Sequence, residues 1–312
     1  VDIRTGTARI SGTGTGTDDD LEIYYEDMGE ISDPPVLLIM GLGAQLLLWR
    51  TGFCERLVNL GYRVIRYDNR DVGLSGKLHG RRAGGSLLPA LARSFIGRRS
   101  DSVYTLEHMA DDAAELLDHL EIDRAHVVGA SMGGMIAQIF AARFPERTAG
   151  LGIIFSSNNS ALLPPPAPRA LLALIKGPPP DSPRDVLVEN SIRVSRIIGS
   201  PGYPASEETL RAEAIEGYER SHYPQGIARH FGAILGSGSL VRYDRKITAP
   251  TVVIHGRDDK LMRPSGGRAI ASAIPNARLV LIDGMAHDLP EALWDDIIGE
   301  LQTTFAEMSD TR

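Results

Sequence analysis

Short apolar runs that alternate with longer amphipathic stretches constrain this chain more than any other feature. Val36-Leu37-Leu38-Ile39-Met40, Arg63-Val64-Ile65-Arg66-Tyr67, Ala125-His126-Val127-Val128 and Gly152-Ile153-Ile154-Phe155 are too short for helices. They read as strands buried on both faces. Helical periodicity fills 46–60, 105–120 and 135–144 between them. In 105–120, Leu106, Met109, Ala113, Leu116, Leu117 and Leu120 keep one apolar face behind a Thr105 cap. The rhythm stops at 157 and resumes with a strand at Thr251–His255, a helix at 265–273, a strand at Arg278–Ile282 and a helix at 290–307. Such alternation builds an α/β fold, a mostly parallel, doubly wound sheet with helices on both faces.

The interruption reads as an inserted helical cap. Residues 157–245 lack strand patterns, hold helical patterns at 184–198 and 206–220, and place eight of the nineteen prolines between Pro164 and Pro183. The expected division is a core of 1–156, a cap of 157–245 and a second core segment of 246–312. The first thirty residues read as strand, turn, strand. Their tract Ser11-Gly12-Thr13-Gly14-Thr15-Gly16-Thr17 superficially resembles a dinucleotide loop, but it lacks the third glycine of that pattern and opens no helix. The basic stretch 79–100 resists assignment.

Composition narrows the function classes. A content of 43% hydrophobic and 23% charged residues is that of a globular protein, not a disordered one. A net charge of −7 argues against nucleic acid, whose binding needs a basic surface. One cysteine, Cys54, forms no intramolecular disulfide and no thiolate metal site alone; a buried helix residue is the expectation. The histidines show no metal-ligand pairing, so no metal is expected. With no apolar run of membrane-spanning length and no signal-peptide pattern, a cytoplasmic enzyme is expected. Peripheral contact with lipid or the cell envelope, through Arg81-Arg82 and Arg98-Arg99, stays open, as does a homodimer.

Ligands of doubly wound sheets bind outside the carboxyl ends of the strands, and three loops there carry chemistry. Gly129-Ala130-Ser131-Met132-Gly133 lies directly between a strand and a helix. In such an elbow the turn is so tight that the serine is strained and its hydroxyl is presented at the sheet edge, while the flanking positions have no room for a Cβ. Serine attacks only after a base removes its proton. Gly284-Met285-Ala286-His287-Asp288, past the strand ending at Ile282, supplies His287. A carboxylate must hold the imidazole, and Gly256-Arg257-Asp258-Asp259 offers two adjacent candidates after the strand at 251–255. Their side chains point in different directions, so only one reaches His287. The matching position after strand 152–155 holds Ser156-Ser157-Asn158-Asn159, and an amide cannot stabilise an imidazolium as a carboxylate does. Acyl transfer also needs donors for an oxyanion: the backbone N–H of Met132 and, from the loop Gly41-Leu42-Gly43, that of Leu42. Gly41 and Trp49 are candidates for the substrate pocket. Asp68, Arg70 and Asp71 read as a structural loop network.

The order Ser131, Asp259, His287, the Met40-Gly41-Leu42-Gly43 loop, Tyr67-Asp68-Asn69-Arg70 and the cap position together resemble the α/β-hydrolase superfamily. Within it, the chain is similar to the actinobacterial lipase/esterase branch related to aclacinomycin methylesterase. The resemblance runs over about 20–307 and departs twice, with Met40 where His is usual and Ala286 where Gly often stands. It implies Asp259 rather than Asp258 as the acid. It also implies a cofactor-free serine hydrolase of short-to-medium acyl or small carboxylic esters, with a small-molecule ester as its partner. Thioesters, phospholipids and monoalkyl phthalates are alternative substrates; perhydrolase chemistry and a ligand receptor without turnover are the remaining alternatives.

Overall fold

A computed structural model describes residues 1–11, 20–81 and 87–307. Most of the Thr/Gly tract, from Gly12 onward, and Arg82 lie outside the described residues. Eight strands form one sheet: β1 (Ile3–Ile10), β2 (Leu21–Met28), β3 (Pro35–Ile39), β4 (Arg63–Tyr67), β5 (Ala125–Ala130), β6 (Thr148–Ile154), β7 (Thr251–Gly256) and β8 (Arg278–Ile282). Their spatial order is β1-β2-β4-β3-β5-β6-β7-β8. The β1–β2 and β2–β4 pairs are antiparallel, and the remaining neighbours are parallel.

The helices follow in chain order: α1 (Thr51–Asn59), α2 (Leu87–Phe95), α3 (Leu106–His119), α4 (Met132–Arg143), α5 (Pro168–Ile175), α6 (Arg184–Ile198), α7 (Glu207–Arg220), α8 (Pro224–Ser237), the single turn α9 (Val241–Asp244), α10 (Pro264–Ala273) and α11 (Trp294–Ala306). The expected α/β architecture is the observed one. Successive residues of each central strand face opposite sides. Thus Leu37, Ile39, Val127 and Ile153 join α3 and α4 in one core, while Val36, Leu38, Val128 and Ile154 join α1 and α11 in the other.

Differences from expectation have local causes. The stretch 46–60 is not one helix: a 3-10 turn at Leu46–Leu48 precedes α1. The carbonyl of Trp49, which would continue a helix, accepts instead from the buried guanidinium of Arg66. The final stretch breaks likewise into a 3-10 turn at Glu291–Leu293 and then α11. Inside the unassigned stretch 79–100 lies α2.

Between β6 and β7 the described residues contain α5 to α9 and no strand. This segment is tied to the sheet edge by buried charge. Arg229 of α8 donates to both carboxylate oxygens of Asp71, at 2.8 and 2.7 Å, and Tyr104 donates a third bond to the same carboxylate at 2.8 Å. Arg220 pairs with Asp68 at 2.7 Å, while Asp68 also accepts from the N–H groups of Leu46 and Leu74. Arg70 grips Asp112 of α3 through two nitrogens. Asp68, Arg70 and Asp71 thus form a structural network, all three fully buried. Removing one partner from such a pair strands a buried charge, so each pair fixes geometry more than it adds net stability.

Candidate active site

Ser131 sits where β5 ends and α4 begins, at φ 57° and ψ −120°. That is left-handed backbone for an L-residue, a conformation costing roughly 1–3 kcal/mol that persists only where its surroundings over-determine it. They do so here. A Cβ on Gly129 would lie 2.2 Å from the carbonyl oxygen of Gly133, and one on Gly133 would lie 2.1 Å from that of Ile39. The Ser131 N–H donates to Ile154 at 3.0 Å, and the Ser156 hydroxyl donates to the Ser131 carbonyl at 2.6 Å.

The structure brings Ser131, His287 and Asp259 into one line. His287 Nδ1 lies 2.7 Å from Asp259 Oδ2, and His287 Nε2 lies 2.9 Å from Ser131 Oγ. A carboxylate can only accept, so Nδ1 donates and Nε2 is left to accept the serine proton. Asp259 is fully buried, and its Oδ1 accepts from the N–H groups of Leu261 and Met262, each at 2.8 Å. Those bonds aim Oδ2 at His287. Asp258 is exposed, and its Oδ2 accepts from the N–H of Gly284 at 3.1 Å instead. The alternation of neighbouring side chains has separated the two aspartates.

Several residues that hold this line gave no sequence signal. The His287 N–H donates to the carbonyl of Ile198, at the end of α6, at 3.0 Å. Ser200 accepts from the Ala286 N–H at 2.8 Å and donates to Asp288. Phe155, itself at φ 36°, puts its ring centroid 4.7 Å from that of His287. His255 Nε2 donates to Met262 at 2.5 Å and lies 3.7 Å from Asp259 Oδ2. Burial, ahead of the opposing pull of Asp259, lowers its pKa, so His255 stays neutral beside the carboxylate.

Gly41 lies against the serine: a Cβ there would come within 2.9 Å of Ser131 Cβ. This close approach brings the Gly41-Leu42-Gly43 loop over Ser131. Among the described residues the N–H of Leu42 makes no hydrogen bond, and Met132, first in α4, has an N–H with no intrahelical acceptor. The loop is held from α8. Gly43 donates its N–H to His230 Nδ1 at 3.1 Å, and His230 Nε2 donates to the carbonyl of Arg70 at 2.7 Å. His230 is fully buried, and burial pushes its imidazole down to about 4, so the ring keeps the single tautomer both bonds require. Trp49 is fully buried within the core cluster of α1 and α11, its ring tilted against that of Phe53 with centroids 5.5 Å apart. Cys54 is buried in the same cluster, and burial pushes its thiol up to about 12.

Among the described residues, no group of three His, Cys, Asp or Glu side chains could hold a metal ion. Nor is any helix of those residues long and apolar enough to cross a membrane.

Rhodomycin D methylesterase DnrP of Streptomyces peucetius is 29% identical over 299 residues, covering 90% of this chain and 94% of that protein. A poly(3-hydroxyalkanoate) depolymerase of Ectopseudomonas oleovorans is 31% identical over 250 residues, covering 80% of this chain and 76% of that protein. The solved thermophilic esterase of Thermogutta terrifontis superposes with a TM-score of 0.66 at 25% identity, over 96% of this chain and 99% of that one. Residues 34–291 match the family described as the alpha/beta hydrolase fold. The chain belongs to the alpha/beta hydrolase fold family of enzymes.

Proposed function

We propose that this enzyme is a serine carboxylic-ester hydrolase working through an acyl-enzyme, with Ser131 as nucleophile, His287 as base and Asp259 as the acid that orients it. The observation that carries the reading is the unbroken hydrogen-bond line from Asp259 through His287 to a serine in left-handed backbone. As Ser131 Oγ bonds to the acyl carbon, its proton passes to His287 Nε2, and the imidazolium is stabilised by Asp259. The carbonyl oxygen becomes an oxyanion that accepts from the N–H groups of Leu42 and Met132. The tetrahedral adduct collapses, and the alcohol leaves with the proton from His287. Water then attacks the acyl-enzyme by the same route, returning the acid and free Ser131.

Residues 157–245 act as a cap over this site. The contacts of Ile198, Ser200 and His230 with the His287 and Leu42 loops support that role. A cap fixed by the Asp68–Arg220 and Asp71–Arg229 pairs suits a pocket of constant size, and so short-to-medium acyl or small carboxylic esters. A methylesterase among the relatives supports an ester with a small alcohol.

The test is fluorophosphonate labelling followed by p-nitrophenyl ester hydrolysis. Ser131 should be the labelled residue, and Ser131→Ala and His287→Ala should each lower kcat by about 10⁴–10⁶. Labelling elsewhere, or Ser131→Ala retaining full turnover, overturns the assignment.

A further inference from the structure

A cavity of about 610 Å³ opens between α5 and α6, within the range of small-molecule sites. Leu172, Ala173 and Ile197 give it an apolar floor, while Arg169, Lys176, Arg193 and Arg196 stand round it. Helical spacing explains the grouping: 169, 172, 173 and 176 share one face of α5 and its end, and 193, 196 and 197 share one face of α6. The Arg193 guanidinium reaches back to the carbonyl of Lys176 at 3.4 Å, linking the two helices.

Of these four cations only Arg196 has a carboxylate partner among the described residues, Glu207. Arg193 also donates to the neutral Asn190 at 2.7 Å, and no carboxylate lines the cavity. Three cations without a carboxylate partner among the described residues, Arg169, Lys176 and Arg193, therefore line one apolar recess in a chain whose net charge is −7. Such a local excess of positive charge beside an apolar floor favours an anion over a neutral or cationic ligand. A simple anion would leave the floor unused, and a neutral lipid would leave the cations unused.

We infer that the α5–α6 cavity binds an amphiphilic anion, its phosphate or carboxylate head held by Lys176, Arg169 and Arg193 and its apolar body lying on Leu172, Ala173 and Ile197. One lining residue, Ile197, immediately precedes Ile198, whose carbonyl accepts from the His287 N–H. Binding there does not depend on the Ser131 reading.

Calorimetric titration of the full chain carrying Ser131→Ala, with octyl phosphate, octanoate, octanol and inorganic phosphate, tests this below micelle formation. Octyl phosphate or octanoate should bind saturably, octanol and inorganic phosphate each at least about tenfold more weakly. Comparing the two octyl anions separates a phosphate head from a carboxylate. Lys176→Glu with Arg193→Glu should weaken the anion about tenfold or more, and high salt should weaken it too. All these side chains are on exposed positions, and the milder pair Arg169→Gln with Lys176→Gln serves if charge reversal disturbs the circular dichroism spectrum. Octanol binding as tightly as octyl phosphate, or affinity unchanged in a folded charge variant, overturns the inference. Because turnover plays no part, its failure is separate from any failure of the labelling experiment on Ser131.

Discussion

His230→Leu probes how far α8 governs the loop over Ser131. The imidazole accepts from Gly43 and donates to Arg70, and leucine can do neither. The Arg70 carbonyl then loses this donor in a buried place, and the half-buried Gly43 N–H loses its acceptor. A stranded buried polar group costs about 1–3 kcal/mol, so the pair should destabilise the fold by about 2–4 kcal/mol at neutral pH. For a chain of 312 residues that lowers Tm by roughly 3–6 °C. Acid should erase the difference. In the folded chain His230 takes up its proton only near pH 4, against 6.5 for the free side chain. Between those values the unfolded state holds more protons, so falling pH favours unfolding. The contribution is intact above about pH 6.5 and is lost progressively toward pH 4, about 3 kcal/mol in all. Burial likewise lowers His126 to about 4, but that group is common to both proteins and cancels in their difference. Urea unfolding of wild type and His230→Leu from pH 7 to 4.5 should therefore show a stability gap that closes with acidity, and hydrolysis at pH 7 should fall about ten- to a hundredfold as the Leu42 N–H loses its position. A gap constant across that range would refute a neutral, buried His230; unchanged kcat would refute its hold on the loop.

The two aspartates should separate cleanly: Asp259→Asn should cost about 10⁴ in kcat and Asp258→Asn at most about tenfold, with the reverse order moving the acid role to Asp258. Arg229→Ala leaves the buried Asp71 carboxylate without its cation, facing the Tyr104 hydroxyl and the Leu78 N–H, and should lower stability by about 3–5 kcal/mol in urea unfolding, whereas a loss below about 1 kcal/mol would mean the segment between β6 and β7 does not depend on this pair. Gly133→Ala must move either the elbow or β3 and should cost about 1–3 kcal/mol or more. Gly299→Ala, on α11 with open space around its Cβ, should instead stabilise by about 0.5–1 kcal/mol. Equal effects of the two glycine changes in thermal melts would contradict the crowding at the elbow.

The alternation of buried strands and amphipathic helices is a local signal, and it located the sheet, its two cores and the elbow. Ser131 and Met132 were legible because only small flanking residues let a strand turn so tightly into a helix. His287 was legible because the strand pattern before it sets which sheet edge its loop occupies. Between Asp258 and Asp259 the residues alone left a choice. The geometry distinguishes them: the N–H groups of Leu261 and Met262 donate to Oδ1 of buried Asp259 and leave Oδ2 facing His287, whereas Asp258 is exposed.

Sequence alone could not find α2 within 79–100, nor see that 46–60 would break, because Arg66 reaches Trp49 only after β4 has docked. Nor could it find His230, 187 residues from Gly43, or Ser200, 86 residues from Ala286. A lone histidine or serine on a helix or loop carries no mark of its partner. Periodicity and turn chemistry act between neighbours, and those determined the sheet and the elbow. The hold on the Leu42 and His287 loops is made of long-range hydrogen bonds, whose donors and acceptors meet only when the inserted helices close on the sheet edge.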